Sequence, residues 1–141
     1  MATRTEPRPE SSSNTQRNAV ALMTVYAGAA PGANTNIGFT DALGAAATTF
    51  QVGPNASVVR VTVALTTGSV FNVRVTDGTT AYTIHLNGGT ALTAACMYTF
   101  SFGARRYSTQ NGNTELTYAF QVATDSVINY LLAEEVVGGI I

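Results

Sequence analysis

His85 is the one histidine of the sequence, and it is therefore the first candidate for acid–base chemistry. Catalysis of the Ser-His-Asp kind needs a nucleophile and a carboxylate beside the imidazole, in an arrangement defined by geometry rather than by order in the chain. The alternation around His85 places it with Thr83 on the outward face of a strand. No Gly-x-Ser-x-Gly nucleophile elbow occurs in the sequence. We therefore expect a solvent-facing or interface histidine and a protein that is not an enzyme.

A metal site would require several histidine, cysteine or carboxylate ligands close together. The eight acidic residues are scattered, and the adjacent pair Glu134-Glu135 lies in a predicted strand, where neighbouring side chains point to opposite faces. No pair of acids is singled out for glycoside chemistry. Gly88-Gly89 is followed by neither the lysine nor the helix of a phosphate-binding loop. The sequence thus predicts neither a metal nor a cofactor.

Charged residues make up only 11% of the chain, less than half of the usual share of about 25%. All seven basic residues are arginines. Because the cores of protein interfaces are depleted of charge, this composition favours a surface that faces other protein chains. The alternative is a neutral surface rich in Thr, Asn and Ser that is simply soluble. With a net charge of −1 and no basic stripe, nucleic acid is not an expected partner.

Cys96 is the single cysteine, so an intrachain disulfide is excluded. Its apolar neighbours, Ala94 to Met97, predict a small buried hydrophobe rather than a reactive thiol. The N-terminus lacks the apolar stretch of a signal peptide, and no run approaches the roughly 20 apolar residues of a membrane span. These features predict synthesis and folding in the cytosol.

Residues 1–18 differ in composition from the rest of the chain. Prolines and charges come first, and the stretch from Ser11 to Gln16 then contains no apolar residue. Such a segment cannot bury enough surface to offset the entropy lost on ordering, so alone it is expected to be a flexible, extended arm. It is either a terminus without function or an arm that orders against a neighbouring subunit. Residues 19–141 are expected to form one β-sandwich domain.

From Val20 onward, short runs of alternating apolar and polar residues are separated by glycine and asparagine turns. This pattern is typical of strands, and its spacing predicts an all-β protein. The expected architecture is an antiparallel β-sandwich or jelly roll of about eight strands with an extended N-terminal arm, and a small barrel also fits. The predicted strands are 20–27, 48–53, 57–66, 70–76, 80–86, 91–102, 115–123 and 127–137.

The connections and the inward faces follow from the same pattern. Residues 28–47 are predicted to be a loop with a short helical turn at 41–46, which Asp41 would cap. Asp77-Gly78 predicts a hairpin with a type I′ turn. The side chains predicted to face the core are Val59, Val61, Val63 and Leu65; Phe71, Val73 and Val75; Tyr82, Ile84 and Leu86; Tyr98, Phe100 and Phe102; and Leu116, Tyr118, Phe120 and Val122.

Several stretches in the second half of the chain carry a resemblance to a known class of proteins. They are FNVRVTDGTT from Phe71, LNGGTALTA from Leu86, YTF from Tyr98, YAFQV from Tyr118 and EEV from Glu134. Together they resemble small virion structural proteins of tailed bacteriophages, of the capsid decoration or cement type. The resemblance covers roughly the last half of the chain and contains no catalytic motif.

This resemblance implies a subunit that binds neighbouring major capsid subunits on the virion surface, often as a homotrimer, after synthesis in the host cytoplasm. The implied partners are the major capsid protein and further copies of the chain, without nucleic acid or membrane. Arginine pairs bidentately with carboxylates. Shell contacts are therefore expected at Arg4, Arg8 and Arg17 in the arm and at Arg105 and Arg106 in a loop, with plain solvation as the alternative.

Two other functions fit the same sequence. A head-fibre, tail or baseplate component would bind a host surface, with the loop 103–114 at its tip. A jelly-roll carbohydrate-binding module would need an exposed aromatic platform, but the chain has no tryptophan. Its alternating aromatic residues, such as Tyr98, Phe100 and Phe120, are better explained as core.

Overall fold

The computed structural model describes residues 19–28, 30–53, 57–108 and 114–136, and within these ranges the chain is almost entirely β-structure. The all-β prediction is confirmed. No helix in the described ranges is long and apolar enough to cross a membrane. The elements are β1 (Ala19–Tyr26), β2 (Phe39–Asp41), β3 (Ala46–Ala47), β4 (Ser57–Leu65), β5 (Phe71–Thr76), β6 (Ala81–His85), a short 3-10 helix (Leu86–Gly89), β7 (Tyr98–Ala104), β8 (Thr117–Val122) and β9 (Ile128–Val136).

The strands form two antiparallel sheets, as in a β-sandwich. The large sheet has the order β3-β2-β1-β9-β4-β7, and the small sheet has the order β6-β5-β8. β9 lies between β1 and β4, so the first and last described strands are neighbours at the centre of the large sheet. The proposed N-terminal arm, residues 1–18, lies outside the described residues.

The core fills the space between the two sheets, and alternation along the strands supplies its side chains. All the inward positions predicted in β4, β5 and β8 are buried, together with Leu116 just before β8. The rings of Phe71 and Phe120 stack with their centroids 5.3 Å apart. Burying one large apolar side chain stabilises a fold by about 1.5–3 kcal/mol. These strands were predictable because each has one face in the core.

The segment between β1 and β4 differs from its prediction. The 41–46 stretch forms no helical turn, because β2 and β3 pair there as a small hairpin that continues the large sheet beyond β1. Asp41 is therefore not a helix N-cap; it lies at the turn of this hairpin, where its Oδ1 accepts hydrogen bonds from the amides of Leu43 and Ala45, both at 2.9 Å. The predicted strand 48–53 is absent; Phe50 forms only an isolated bridge to Tyr118, although its side chain is buried.

The hairpin between β5 and β6 is confirmed, but its turn type is not. A type I′ turn needs positive φ at both central residues. Gly78 has φ of 92°, whereas Asp77 keeps a negative φ. The loop is longer, and Asp77 Oδ1 accepts hydrogen bonds from the amides of Thr79 and Thr80 at 2.9 and 2.7 Å. Side-chain capping by the aspartate thus replaces the predicted backbone conformation.

The segment between β6 and β7 begins its strand later than predicted, at Tyr98 instead of residue 91. Leu92 bridges to Ser69, and the chain then turns, with Ala95 at φ of 59° and the Cys96 amide bonded to the Thr93 carbonyl. Cys96 is consequently exposed, so the prediction of a buried cysteine is wrong. The apolar run 94–97 extended the strand pattern over residues at which the backbone has left the sheet.

Candidate interaction surfaces

The outward side of the large sheet is poor in charge, and we call it the large-sheet face. Its only charged strand residues in the described ranges are Arg60 and Glu134, which neutralise each other in an ion pair of 2.9 Å. The rings of Tyr26 and Tyr130 lie side by side, with centroids 5.3 Å apart. The register places these outward residues: Ala21, Thr24, Tyr26, Val58, Arg60, Thr62, Ala64, Thr99, Ser101, Gly103, Tyr130, Leu132, Glu134 and Val136.

A second surface lies where the edge strands β6 and β7 leave one side of the sandwich open; we call it the seam. Tyr82 is 52% exposed there, and Ile84, Tyr98 and Phe100 are half-buried. A cavity of about 520 Å³ opens between Tyr82, Ile84 and the end of β7. The inward direction predicted for these residues is confirmed only in part, because the three-stranded sheet is too narrow to cover the end of the six-stranded one.

The two loop arginines lie side by side in sequence but in different environments. Arg106 donates to Glu115 Oε2 at 3.1 Å and to Gln51 Oε1 at 3.3 Å, and Gln51 in turn donates to Glu115 Oε1 at 2.9 Å. The hydrogen bond from Gln51 and the positive charge of Arg106 lower the pKa of the Glu115 carboxyl below its ordinary value. The guanidinium of Arg105 has no carboxylate partner within the described ranges. Arg105 is therefore the arginine of this pair whose positive charge could bind a carboxylate of a partner protein.

Arg4, Arg8 and Arg17 lie outside the described residues, so their role as shell contacts stays a prediction. The adjacent glutamates of β9 behave as predicted and point to opposite faces. Glu134 faces outward to Arg60, and Glu135 is buried, where it accepts hydrogen bonds from Ser57 Oγ and the Gly53 amide. No cluster of three or more histidine, cysteine or acidic residues suited to a metal occurs in the part of the chain that the structure describes.

A third surface, which the sequence did not indicate, is an open concavity of about 650 Å³ on the outward side of the small sheet; we call it the polar concavity. The register of the three strands assembles it, since Asn72 lies opposite both His85 and Gln121, and Arg74 lies opposite Thr83. His85 is outward and exposed, as predicted. Alternation places each residue on the outer face, but only strand pairing shows that they form one cluster.

The chain matches no known protein-family model and no curated protein sequence. The three surfaces therefore have to be interpreted from their own chemistry. One is charge-poor and partly apolar, one is an apolar opening beside two strand edges, and one is polar and carries an arginine without a carboxylate partner among the described residues.

Proposed function

We propose that this chain is a non-enzymatic structural protein that assembles by packing its large-sheet face against other protein chains, as a decoration or cement protein of a bacteriophage capsid. The observation that carries the proposal is the composition of that face. Four neighbouring strands, β1, β9, β4 and β7, present aromatic, aliphatic and threonine side chains around one internally paired arginine and glutamate. A face of this kind has the composition of an interface core, from which charge is depleted.

The energetics favour assembly through many copies. Apolar area removed from water stabilises a contact by roughly 25 cal/mol per Å² before the costs of association, and a standard interface buries about 800 Å² on each partner. A single contact of this composition is modest, but contacts repeated over a particle act together through multivalency. The proposed partners are the major capsid protein and other copies of the chain on the virion surface.

The edge strands support self-association as well. β6 and β7 end their sheets, and edge strands expose backbone groups that invite further pairing. A closed ring of copies, such as the homotrimer suggested by the resemblance to phage proteins, covers such edges by symmetry. The seam then lies between copies, where its half-buried Tyr98 and Phe100 lose their remaining exposure.

The test is attachment to capsids that lack the protein, after the copy number per particle has been measured by quantitative mass spectrometry. Leu132→Glu places a charge at the centre of the large-sheet face, between Thr24 and Thr62. We expect it to weaken attachment by at least about tenfold, because an unpaired charge buried at an interface costs several kcal/mol. Thr79→Glu makes the same charge change at the exposed β5–β6 loop and should leave attachment unchanged.

Circular dichroism of both variants checks that the sandwich remains folded. Hundreds of copies per particle and loss of attachment only with Leu132→Glu would support the decoration role. About a dozen copies would favour a fibre, tail or vertex component instead. Equal attachment of the two variants would contradict the large-sheet face as the binding surface.

A further inference from the structure

The polar concavity is built on the small sheet and is separate from the large-sheet face. Its floor comes from adjacent positions on β5, β6 and β8, and Asn34 in the loop after β1 contributes to its rim. Its volume of about 650 Å³ falls within the range of about 300–1,000 Å³ that is usual for small-molecule sites. The concavity is therefore large enough for a ligand of one or more rings, and far larger than a single carboxylate needs.

Asn72 supplies a hydrogen-bond donor that none of the described residues accepts. Its side chain is only 6% exposed, and its Oδ1 lies 2.9 Å from His85 Nδ1. Its Nδ2 has no hydrogen-bond partner among the described residues, although the residue lines the concavity. A buried amide donor without a partner costs folding free energy, so such groups usually serve a ligand or a bound water.

Arg74 adds a positive charge to the same wall. Arg60 and Arg106 each pair with a glutamate, whereas no carboxylate of the described ranges pairs with Arg74. Asp125, in the loop after β8, forms no ion pair with Arg74; its Oδ1 accepts a hydrogen bond from the Gly32 amide at 2.8 Å. A guanidinium in a polar concavity, next to a buried amide donor, is a site for a carboxylate or another oxyanion.

The remaining wall offers acceptors as well as donors, and this narrows the ligand class. Gln121 donates its Nε2 to Asn36 Oδ1 at 2.8 Å, which leaves its Oε1 without a partner in the described ranges. The hydroxyl of Thr83 is likewise without one. Sugar hydroxyls both donate and accept hydrogen bonds, so a wall that offers both kinds of group beside a guanidinium suits a saccharide that carries a carboxylate.

We propose that the polar concavity binds a carboxylated saccharide, such as a hexuronate, with the carboxylate on Arg74 and Asn72 Nδ2. Ring hydroxyls then bond to Gln121 Oε1 and the Thr83 hydroxyl. This binding activity does not rest on the capsid role, because the outer faces of the two sheets point in opposite directions. A copy attached through its large-sheet face would present the concavity outward.

The experiment is an NMR titration of the isotope-labelled full chain with sodium glucuronate. We expect saturable amide shifts that cluster on β5, β6 and β8, and weaker or absent shifts with glucose, which lacks the carboxylate, and with acetate, which lacks the hydroxyls. Acetate shifts as large as those from glucuronate would reduce the site to a simple anion site and overturn the proposal. No clustered shifts with glucuronate would overturn it too.

A matched pair of variants tests the role of the charge. Arg74→Gln should weaken glucuronate binding by at least about tenfold, because charge-assisted hydrogen bonds are the strong ones in such a site. Arg105→Gln removes the same charge outside the concavity and should bind like the wild type. Equal weakening in both variants would mean general electrostatic attraction and would overturn the site. Tighter binding of a glutamate-rich peptide than of glucuronate would replace the saccharide with a protein partner.

Discussion

Glu135 is an ionisable side chain that faces the core of the sandwich. Its Oε2 accepts hydrogen bonds from the Gly53 amide at 2.9 Å and from Ser57 Oγ at 2.5 Å, and it is only 8% exposed. These bonds tie the start of β4 and the segment before it to β9. We expect Glu135→Ala to lower the free energy of unfolding by about 1–3 kcal/mol, because it leaves two donors unsatisfied. Chemical denaturation measures the difference.

Glu134 is the matched control on the same strand. Its partner Arg60 has a side chain that is 44% exposed, so this ion pair is a surface contact. Such pairs stabilise proteins by about 0–1 kcal/mol, and Glu134→Ala should therefore have a small effect. If the two alanine variants were destabilised equally, the buried hydrogen bonds of Glu135 would have no special role.

Tyr118 links the core to the loop after β7. Its hydroxyl donates to the Arg105 carbonyl and accepts from the Arg105 amide, both at 3.0 Å. Burial raises the pKa of the Tyr118 hydroxyl above its ordinary value. A raised pKa means that its contribution to stability is fully present below the pKa of the unfolded chain and is lost as the pH rises through the folded value. The fold should therefore weaken in alkaline solution.

Urea denaturation across neutral and alkaline pH tests this expectation, with tyrosinate absorbance recorded in parallel. Tyr118→Phe should cost about 1 kcal/mol at neutral pH through its lost hydrogen bonds, and it should reduce the alkaline loss of stability. Tyr107→Phe, at an exposed position, should keep the wild-type profile. An alkaline profile that is the same in all three proteins would exclude Tyr118 as its cause.

Among the connecting elements, the turn at Gly68 passes very close to the backbone of the segment before β7. A Cβ at Gly68 would lie 2.7 Å from the Leu92 carbonyl oxygen, a backbone atom that cannot move alone. This close approach lets the Leu92 amide bond to the Ser69 carbonyl at 2.8 Å. We expect Gly68→Ala to destabilise the fold by about 1–3 kcal/mol and to speed hydrogen exchange at the Leu92 amide.

Gly38 provides the comparison for that substitution. A Cβ there would meet nothing within 4 Å, and Gly38 lacks a positive φ. Gly38→Ala should therefore be neutral or slightly stabilising, since alanine restricts the unfolded chain. Thermal unfolding of the two variants separates the steric effect at Gly68 from the general effect of replacing a glycine.

The strands that the sequence predicted well share one property, a face fully buried in the core. In β4 and β8 the apolar period of two indicates burial, and each of these strands is also paired along its length with at least one neighbouring strand. Phe50 and Leu92 are buried without such a ladder, because each makes only an isolated bridge. An alternating apolar pattern detects buried side chains, but it does not show whether a neighbouring strand is present to pair with the segment. For that reason 48–53 and the first part of 91–102 were overpredicted.

The polar concavity shows the second limit of sequence patterns. Asn72, His85 and Gln121 could each be placed on an outward face, but they meet only through the register between β5 and its two neighbours. A shift of one residue in either pairing would turn the side chains of that strand to the other face. The sequence therefore predicted the direction of the His85 side chain, but it did not predict which residues lie beside it.

At the scale of the whole molecule, the two outer faces of the sandwich differ in chemistry. The large-sheet face exposes Tyr26, Val58 and an internally neutralised ion pair, whereas the small sheet presents Arg74 and His85. Because the sheets pack with their inner faces together, a protein that assembles through the large-sheet face directs the outer face of the small sheet toward solvent. One chain of this size can thus combine attachment on one side with ligand binding on the other.

The same contrast predicts how attachment to a capsid depends on salt. Contacts through the large-sheet face should change little with ionic strength, whereas contacts made by Arg4, Arg8 and Arg17 should weaken as salt screens them. Deletion of residues 1–18 should keep the circular dichroism spectrum, lower affinity in low salt and remove most of the salt dependence. Binding measured for both forms at low and high salt tests this. Unchanged binding after the deletion would remove the arm from the mechanism, and it would leave the large-sheet face as the proposed source of attachment.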